Sequence, residues 1–197
     1  QTDPYGNKVT VNNLISRAYF MPSLLNNLML FYTYDVHETD TPENIAYKYY
    51  NDIYSYWIVL YSNGIIDPYS SWPLDNDPFN LYLIDKYSAA ANGASNVVPY
   101  TTSTVYGYFK TVTTFDTTTS DSQTITIQID ENTYNNTLPS TQTAVLNGIK
   151  ITKITNTYIQ SLYDYEIAQN EAKRNIKILN KNYLPQVQIQ FKNLMSS

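Results

Sequence analysis

Residues 56–72 read YWIVLYSNGIIDPYSSW, an apolar run that closes with an Asp-Pro-Tyr turn and a second tryptophan. Both tryptophans of the chain, Trp57 and Trp72, lie near the ends of this run. Aromatic rings of this size dominate the energetics of hydrophobic cores and of protein contacts. The run therefore indicates an assembly surface rather than an active site.

The first part of the run predicts a short helix. Ile53, Trp57 and Leu60 recur at the i, i+4, i+7 spacing of one helix face. Asn63-Gly64 follows, and this pair is typical of a helix end because both residues tolerate a left-handed backbone.

Another helix is predicted upstream, beginning at Thr41-Pro42-Glu43. Threonine can cap a helix, proline suits the first helical position, and glutamate is favoured at the positive end of the helix dipole. Ile45, Ala46 and Tyr49 then give this helix one apolar face.

Short extended segments are predicted on both sides of the two helices. Tyr34 and Val36 alternate with polar residues before the first helix, and Ile65 with Ile66 leads extended into an Asp-Pro turn after the second. The order strand-helix-helix-strand predicts a small domain of its own over residues 34–88.

Three other segments flank this domain and complete a predicted α+β fold. Residues 1–33 are expected to form a long N-terminal helix that Pro22 breaks or restarts. Residues 89–155 are rich in threonine and serine, yet short β-prone runs recur in them, so we expect β-hairpins with exposed loops. Residues 156–197 are expected to form C-terminal helices.

The predicted C-terminal helix carries an apolar seam over residues 156–183. Its positions repeat at alternating spacings of four and three, with Gln169 as the one polar interruption, and this is typical of a heptad pattern that packs against a partner helix. They are Tyr158, Leu162, Tyr165, Ala172, Ile176, Leu179 and Tyr183. Pro185 breaks or kinks this helix. Beyond it, Val187 and Phe191 fit a further helix, although Val187, Ile189 and Phe191 also alternate as in a strand.

Composition excludes several classes of function. The 197 residues are 43% hydrophobic, and the formal net charge of -5 leaves no basic stripe for nucleic acid or an anionic membrane.

The chain has no cysteine, which excludes disulfides and thiolate metal sites and suits a reducing compartment. No apolar stretch reaches the roughly 18 residues of a membrane helix, and no signal-peptide pattern is present at the start, so we expect a soluble protein. The 21 tyrosines favour contact surfaces.

No arrangement of residues predicts catalysis, a cofactor or a metal ion. His37 is the sole histidine and no G-x-S-x-G motif accompanies it, so a serine triad is not indicated. Five glycines leave no phosphate-binding loop. Asp75-Asn76-Asp77 lacks the glycine and the closing glutamate of a calcium loop. Glu38, Asp40 and Glu43 could supply the two carboxylates of a glycosidase. Asp40 and Glu43, however, flank the predicted helix start, where carboxylates are favoured in any case.

Residues 34–68 resemble a LysM domain. The residues that carry the resemblance are Tyr34-Asp35-Val36, Thr39-Asp40-Thr41, Ile45-Ala46, Tyr49, Trp57–Leu60, Asn63 and Ile66-Asp67-Pro68. In that family a strand-helix-helix-strand unit commonly binds N-acetylglucosamine chains of peptidoglycan or chitin. Thr39 stands where the family usually has glycine.

A wider resemblance includes the C-terminal part of the chain. It rests on Pro42-Glu43, Ile45-Ala46, Tyr56-Trp57, Asn63, Asp67-Pro68-Tyr69, Trp72, Tyr165-Glu166, Asn170-Glu171 and Asn175-Ile176-Lys177-Ile178. In this combination and order the chain is similar to the LysM-like baseplate wedge subunits of contractile-tailed, T-even-type bacteriophages, the protein 53 family. The threonine-rich middle does not match this pattern.

The wedge resemblance implies a structural virion protein of a sixfold tail baseplate, assembled in the host bacterial cytoplasm. Its partners would be other wedge subunits, without nucleic acid, membrane or cofactor. Two contact surfaces are expected: one from Asp67, Pro68, Tyr69 and Trp72, and one from the apolar seam. The alternative is a glycan-binding module of a cell-wall-targeting protein, and a third hypothesis is a peptidoglycan hydrolase that uses Glu38 or Glu43.

Overall fold

The chain mixes helices with two antiparallel sheets, and the expected α+β class is confirmed. The structure, a computed structural model, describes residues 20, 22–116, 118–146 and 148–195. They group into two compact units, which differ from the predicted division at residues 33, 88 and 155. The terminal unit contains the described residues up to 75 together with 171–195, and the inserted unit contains residues 76–170.

Helices and strands follow one another along the chain. The helices are α1 (Pro22–Leu25), α2 (Pro42–Tyr50), α3 (Tyr56–Ser62), α4 (Pro68–Ser71), α5 (Asn76–Tyr87), α6 (Val97–Ser103), α7 (Glu131–Asn136), α8 (Leu162–Ala172) and α9 (Leu184–Met195). The strands are β1 (Phe31–Asp35), β2 (Val105–Asp116), β3 (Ser122–Ile129), β4 (Ser140–Leu146), β5 (Ile149–Ser161) and β6 (Asn175–Leu179). Short 3-10 turns span Ile53–Ser55, Ala94–Asn96 and Lys181–Tyr183.

Both helices predicted in the terminal unit are confirmed. The Thr41 hydroxyl accepts a hydrogen bond of 3.2 Å from the Asn44 amide, so Thr41 caps α2, and Pro42 opens it. Helix α3 ends at Asn63-Gly64, where Gly64 has a φ of 65°. That left-handed conformation suits glycine, which lacks a Cβ atom.

The strand predicted at Ile65 and Ile66 is wrong. β1 pairs instead with β6, antiparallel, in a register that sets Phe31 opposite Leu179 and Asp35 opposite Asn175. Ile65 and Ile66 lie between the left-handed Gly64 and helix α4, which leaves too few extended residues for a ladder. The strand that closes the terminal unit therefore comes from far along the sequence.

The continuous helix predicted over residues 156–183 is also wrong. Of the seven residues expected in its seam, Tyr158 lies in β5, Leu162, Tyr165 and Ala172 in α8, Ile176 and Leu179 in β6, and Tyr183 in a 3-10 turn. β5 is rich in isoleucine and threonine, and its residues 151–161 pair with β2. The β-branched side chains and the ladder outweigh the helical spacing at this point.

The expected C-terminal helix after this segment is confirmed, and the alternative strand is wrong. Residues Leu184–Met195 form α9, and Pro185 lies in its first turn, where a missing amide hydrogen costs little. The N-terminal helix predicted for residues 1–33 falls largely outside the described residues. Within them, α1 is four residues long and Phe31 already belongs to β1.

A hydrophobic core joins β1, α2, α3 and β6 in the terminal unit. Its buried members include Val36, Ile45, Ala46, Val59, Leu60, Trp72, Ile176 and Ile178. A second cluster forms around Phe31, Ile58 and Leu179, and Trp57, Leu184 and Val187 pack against it. The β6 residues contribute to both clusters, so β6 supplies core volume as well as a hydrogen-bonded edge.

The inserted unit is built on a four-stranded antiparallel sheet with the order β3-β2-β5-β4. β2 is one of its two central strands and pairs with β3 over Tyr108–Phe115 and with β5 over Val105–Asp116. Helices α5 and α6 precede the sheet, and Leu83, Val97 and Thr101 are buried there. Among the helices of the described ranges, none combines the length and apolar character needed to span a bilayer.

Candidate assembly surfaces

The turn after α3 exposes part of the first predicted surface. Tyr69 is 90% exposed and Ile66 is 74% exposed. The Asp67 carboxylate accepts a 3.0 Å hydrogen bond from the Tyr69 amide and so caps α4, which begins at Pro68. These residues present an aromatic and an aliphatic side chain on a turn that is fixed by its own hydrogen bonds.

Trp72 lies in the core and not on this surface. It is 9% exposed, and its indole Nε1 donates a 3.0 Å hydrogen bond to the Asp40 carbonyl oxygen. The bond fixes the loop between β1 and α2 from inside the unit. Trp72 can therefore support the exposed turn but does not offer its ring to a partner.

The seven residues predicted as a seam do not share one face. Ile176 and Leu179 are 2% and 3% exposed and belong to the core. Tyr158 is exposed on the sheet, where its ring stacks on Phe109 at 5.4 Å, and Tyr165 stacks on Tyr106 at 3.7 Å. Among the other three, Ala172 and Tyr183 are exposed and Leu162 is half-buried. The structure thus does not bring these residues together.

Asn63 has a role that the sequence pattern does not reveal. Its Nδ2 donates to the Lys177 carbonyl oxygen at 2.9 Å, and its Oδ1 accepts from the Lys177 amide at 2.7 Å. One side chain thereby satisfies both backbone groups of a β6 residue and ties the end of α3 to that strand. Asn63 and Lys177 both belong to the residues that carry the wedge resemblance, but only the structure shows that they touch.

Asp40, one of the carboxylates considered for catalysis, lies in the loop between β1 and α2. The Asp40 carboxylate accepts from the Tyr34 hydroxyl at 2.7 Å and from the His37 amide at 3.0 Å. Burial acts to raise the pKa of Asp40, but these two hydrogen bonds and the nearby Lys48 charge bring it below its usual range. Burial and the Asp40 hydrogen bond raise the pKa of Tyr34. Asp40 therefore bonds to Tyr34 and to the His37 amide, and these bonds hold the loop.

A buried carboxylate organises the inserted unit. Glu166 is 3% exposed and accepts hydrogen bonds from Lys86 Nζ at 2.8 Å, Tyr87 Oη at 2.6 Å and Tyr82 Oη at 3.0 Å. Burial acts to raise the pKa of Glu166, but the three donors lower it below the ordinary value. Burial and the same carboxylate raise the pKa of Tyr87 to about 12. The cluster ties α5 to α8.

A cavity of about 330 Å³ lies beside β6 in the terminal unit. Its lining consists of Tyr32, Lys48, Tyr49, Leu179, Asn180, Lys181 and Asn182. Two ammonium groups and two phenol rings suit an acidic side chain better than an apolar one. Within residues 22–116, 118–146 and 148–195, no group of three or more His, Cys, Asp or Glu side chains is placed to hold a metal ion.

Taken together, the fold and these surfaces define an α+β protein whose exposed aromatic and aliphatic side chains suit contacts with other proteins. Residues 7–194 match the family model described as Base plate wedge protein 53, and the chain belongs to that family. Membership indicates a structural role in a phage tail. A comparison with curated proteins and another with solved structures gave no significant match.

Proposed function

We propose that this protein is a wedge subunit of a contractile phage tail baseplate and that it links neighbouring wedge proteins during assembly. The family match over residues 7–194 is the observation that carries this proposal. The mature location would be the virion tail, after assembly in the host cytoplasm. A sixfold ring needs each subunit to contact different neighbours through different surfaces.

The two units supply separate surfaces for such links. The terminal unit presents Ile66 and Tyr69 on a turn that Asp67 caps. The inserted unit presents a sheet on which Ile125, Ile127 and other aliphatic residues are half exposed. Exposed tyrosines are frequent anchors of protein interfaces, and grouped exposed apolar side chains mark interaction sites.

We further propose that the terminal unit is LysM-like, in a discontinuous form. β1, α2 and α3 follow the order of that domain, and β6 provides the final strand after an insertion of residues 76–170. Thr39 supports this assignment, since its φ of 70° fits the glycine usually present there.

Glycan binding is the alternative that a LysM-like unit suggests. If the unit bound glycan, changing Ile65, Ile66 or Asp67 should abolish the binding. In the structure Ile65 packs against the core and Asp67 caps α4. Both side chains therefore contribute to the fold itself. A saturable titration with chitin oligosaccharides would favour the alternative.

The test of the proposed function is co-expression of the full chain with the other baseplate wedge proteins of the same phage. We expect a stable complex on size-exclusion chromatography. Tyr69→Ser should weaken it by about tenfold or more, because a large exposed ring at an interface is a frequent hot spot. Tyr54→Ser is the matched control, since Tyr54 is 80% exposed in the same unit. Failure of the wild-type chain to enter any complex would contradict the proposal.

A further inference from the structure

The four-stranded sheet of the inserted unit has two unlike faces. Successive strand residues point to opposite faces, and directly paired residues point to the same one. By this register one face, here called the isoleucine face, carries an apolar set and a polar set. The apolar residues are Tyr108, Val112, Ile125, Ile127, Ile129, Ile149, Ile151 and Ile159, and the polar ones include Lys110, Thr114, Gln123, Gln142, Lys153, Thr155 and Thr157. The opposite face, here called the threonine face, carries Thr111, Thr113, Thr124, Thr126, Thr141, Thr143 and Thr152, with Phe109, Phe115, Val145, Ile154 and Tyr158.

Contacts on the threonine face agree with this assignment. The hydroxyls of Thr113 and Thr124 lie 2.9 Å apart, and those of Thr143 and Thr152 lie 3.3 Å apart. These cross-strand pairs satisfy polar groups within the sheet itself. Two pairs of hydroxyls on the threonine face are therefore bonded to each other across neighbouring strands.

The isoleucine face is open to solvent over much of its area. Ile125 and Ile127 are each 52% exposed, Ile159 is 47% exposed and Ile149 is 39% exposed. Helix α7 covers one end of the face, where the Tyr134 ring lies 5.1 Å from the Tyr108 ring. Ile125 and Ile127 are neighbours on β3, and exposed aliphatic side chains grouped in this way mark a site of interaction.

The charges on this face select the kind of partner. Lys110 lies opposite Ile127 and Lys153 lies opposite Gln142, so both lysines are on the isoleucine face. Neither takes part in an ion pair within the part of the chain that the structure describes. Asp116 ends the same row, but its carboxylate accepts from the Thr118 amide at 2.7 Å and turns into the loop.

A second copy of this chain would fit the face poorly. Two isoleucine faces in contact would bring four lysines into one interface, and like charges at an interface are strongly unfavourable. Resting on the proposed baseplate role, we propose that the isoleucine face docks another baseplate protein through an apolar element flanked by Asp or Glu side chains, which pair with Lys110 and Lys153.

Amine labelling of assembled baseplates tests this docking. Purified baseplates and the free chain are treated with an acetylating reagent, and each lysine is quantified by mass spectrometry. We expect labelling of Lys110 and Lys153 to fall about tenfold or more on assembly, because a docked partner excludes solvent from the face. Lys150 is the internal control: it lies in the same strand as Lys153 but on the threonine face. Its labelling should change less than about twofold.

Zero-length carbodiimide crosslinking in the same particles identifies the occupant. We expect Lys110 or Lys153 to be joined to an Asp or Glu of a different protein. Crosslinks that join two copies of this chain at these lysines would overturn the assignment of the occupant. Unchanged labelling of Lys110 and Lys153 in particles that contain the chain would overturn docking but not the proposed function. Absence of the chain from the particles would overturn both.

A paired substitution provides a second measurement. Ile125→Thr with Ile127→Thr removes apolar area from the isoleucine face and keeps β-branched side chains in β3. We expect about tenfold lower incorporation into baseplates, with an unchanged circular dichroism spectrum. Thr124→Ser with Thr126→Ser on the threonine face is the matched control and should incorporate normally. Normal incorporation of the isoleucine variant would overturn the proposal.

Discussion

Thr39 has a φ of 70°, a left-handed conformation that β-branched residues rarely adopt. The residue lies between β1 and α2, and its amide donates a 3.0 Å hydrogen bond to the Asp75 carboxylate. The neighbouring Asp40 carboxylate binds Tyr34 and the His37 amide. These bonds hold the loop in place against the local strain, which is of the order of 1 kcal/mol.

We therefore expect Thr39→Gly to stabilise the terminal unit by about 0.5–1 kcal/mol, because glycine adopts this backbone without strain. Both tryptophans lie in that unit, so tryptophan fluorescence during urea unfolding reports its stability. Thr33→Gly, at an exposed position in β1, is the matched control and should destabilise the unit. Equal destabilisation by the two substitutions would contradict the account of strain at Thr39.

Glu166 makes the stability of the inserted unit depend on pH. Its pKa is lower in the folded chain, so its contribution is complete above the unfolded value of roughly 4.3 and is lost as pH falls through the folded value. The pKa of Lys86 is raised, so its contribution is complete below its unfolded value and is lost as pH rises through the folded one. Acid and strong alkali should both weaken the contact between α5 and α8.

Glu166→Gln should remove part of the acid dependence and destabilise the inserted unit by about 1–3 kcal/mol at neutral pH, because Lys86, Tyr82 and Tyr87 lose a charged acceptor. Hydrogen exchange of the α5 amides measures the effect between pH 3 and 7. Asp85→Asn is the control, because it removes an exposed carboxylate from α5. An unchanged pH profile in the Glu166 variant would show that this carboxylate is not the relevant group.

At the scale of single elements, β6 determines whether the terminal unit can fold. It is the partner strand of β1, it places Ile176 and Ile178 in the core, and Asn63 bonds both backbone groups of Lys177. A contiguous domain over residues 34–88 lacks all of these contacts. The loss of a core strand exceeds the few kcal/mol by which small domains are usually stable.

A fragment of residues 1–88 is therefore expected to remain largely unfolded, whereas the full chain folds. The measurement is the dispersion of amide signals in a nitrogen-proton correlation spectrum. Addition of a peptide with residues 171–197 should restore part of the dispersion if β6 can pair in trans. A well-dispersed spectrum from the fragment alone would favour the contiguous strand-helix-helix-strand unit predicted from sequence.

The sequence correctly predicted the helix ends that are determined by a few adjacent residues. Thr41-Pro42-Glu43 identifies the start of α2 because capping and the proline position depend on adjacent residues, and Asn63-Gly64 identifies the end of α3 in the same way. The partner of β1 could not be read from the sequence, because pairing with β6 is decided by a contact across more than a hundred residues. The spacing of the apolar residues from Tyr158 to Tyr183 fitted a helix. It could not show that residues 151–161 form hydrogen bonds with strand β2.

The residues predicted to form contact surfaces also differ in how far the sequence could place them. Tyr69 and Asp67 were predictable as surface residues of a turn that carries its own hydrogen bonds. Trp72 and Ile176 were not distinguishable from interface residues, because a large apolar side chain suits a core and a contact surface equally. The isoleucine face could not be identified without the strand register, because residues from three different strands form it.

At the scale of the whole molecule, we propose that each unit contacts other proteins through its own surface. The terminal unit offers an exposed aromatic turn and a cavity with two lysines, and the inserted unit offers an apolar sheet face. A subunit with surfaces on two units can connect two neighbours at once, which raises the stability of a ring beyond the affinity of either contact. This arrangement accords with membership of the base plate wedge protein 53 family.

The most direct measurement is the quantitative mass spectrometry of baseplates purified from phage particles. We expect this chain to be present in a copy number that is a multiple of six per baseplate. We also expect it to stay with the baseplate when the tail tube and sheath are removed. Its absence from purified baseplates, or its recovery only in the soluble lysate, would contradict the proposal that this protein is a wedge subunit.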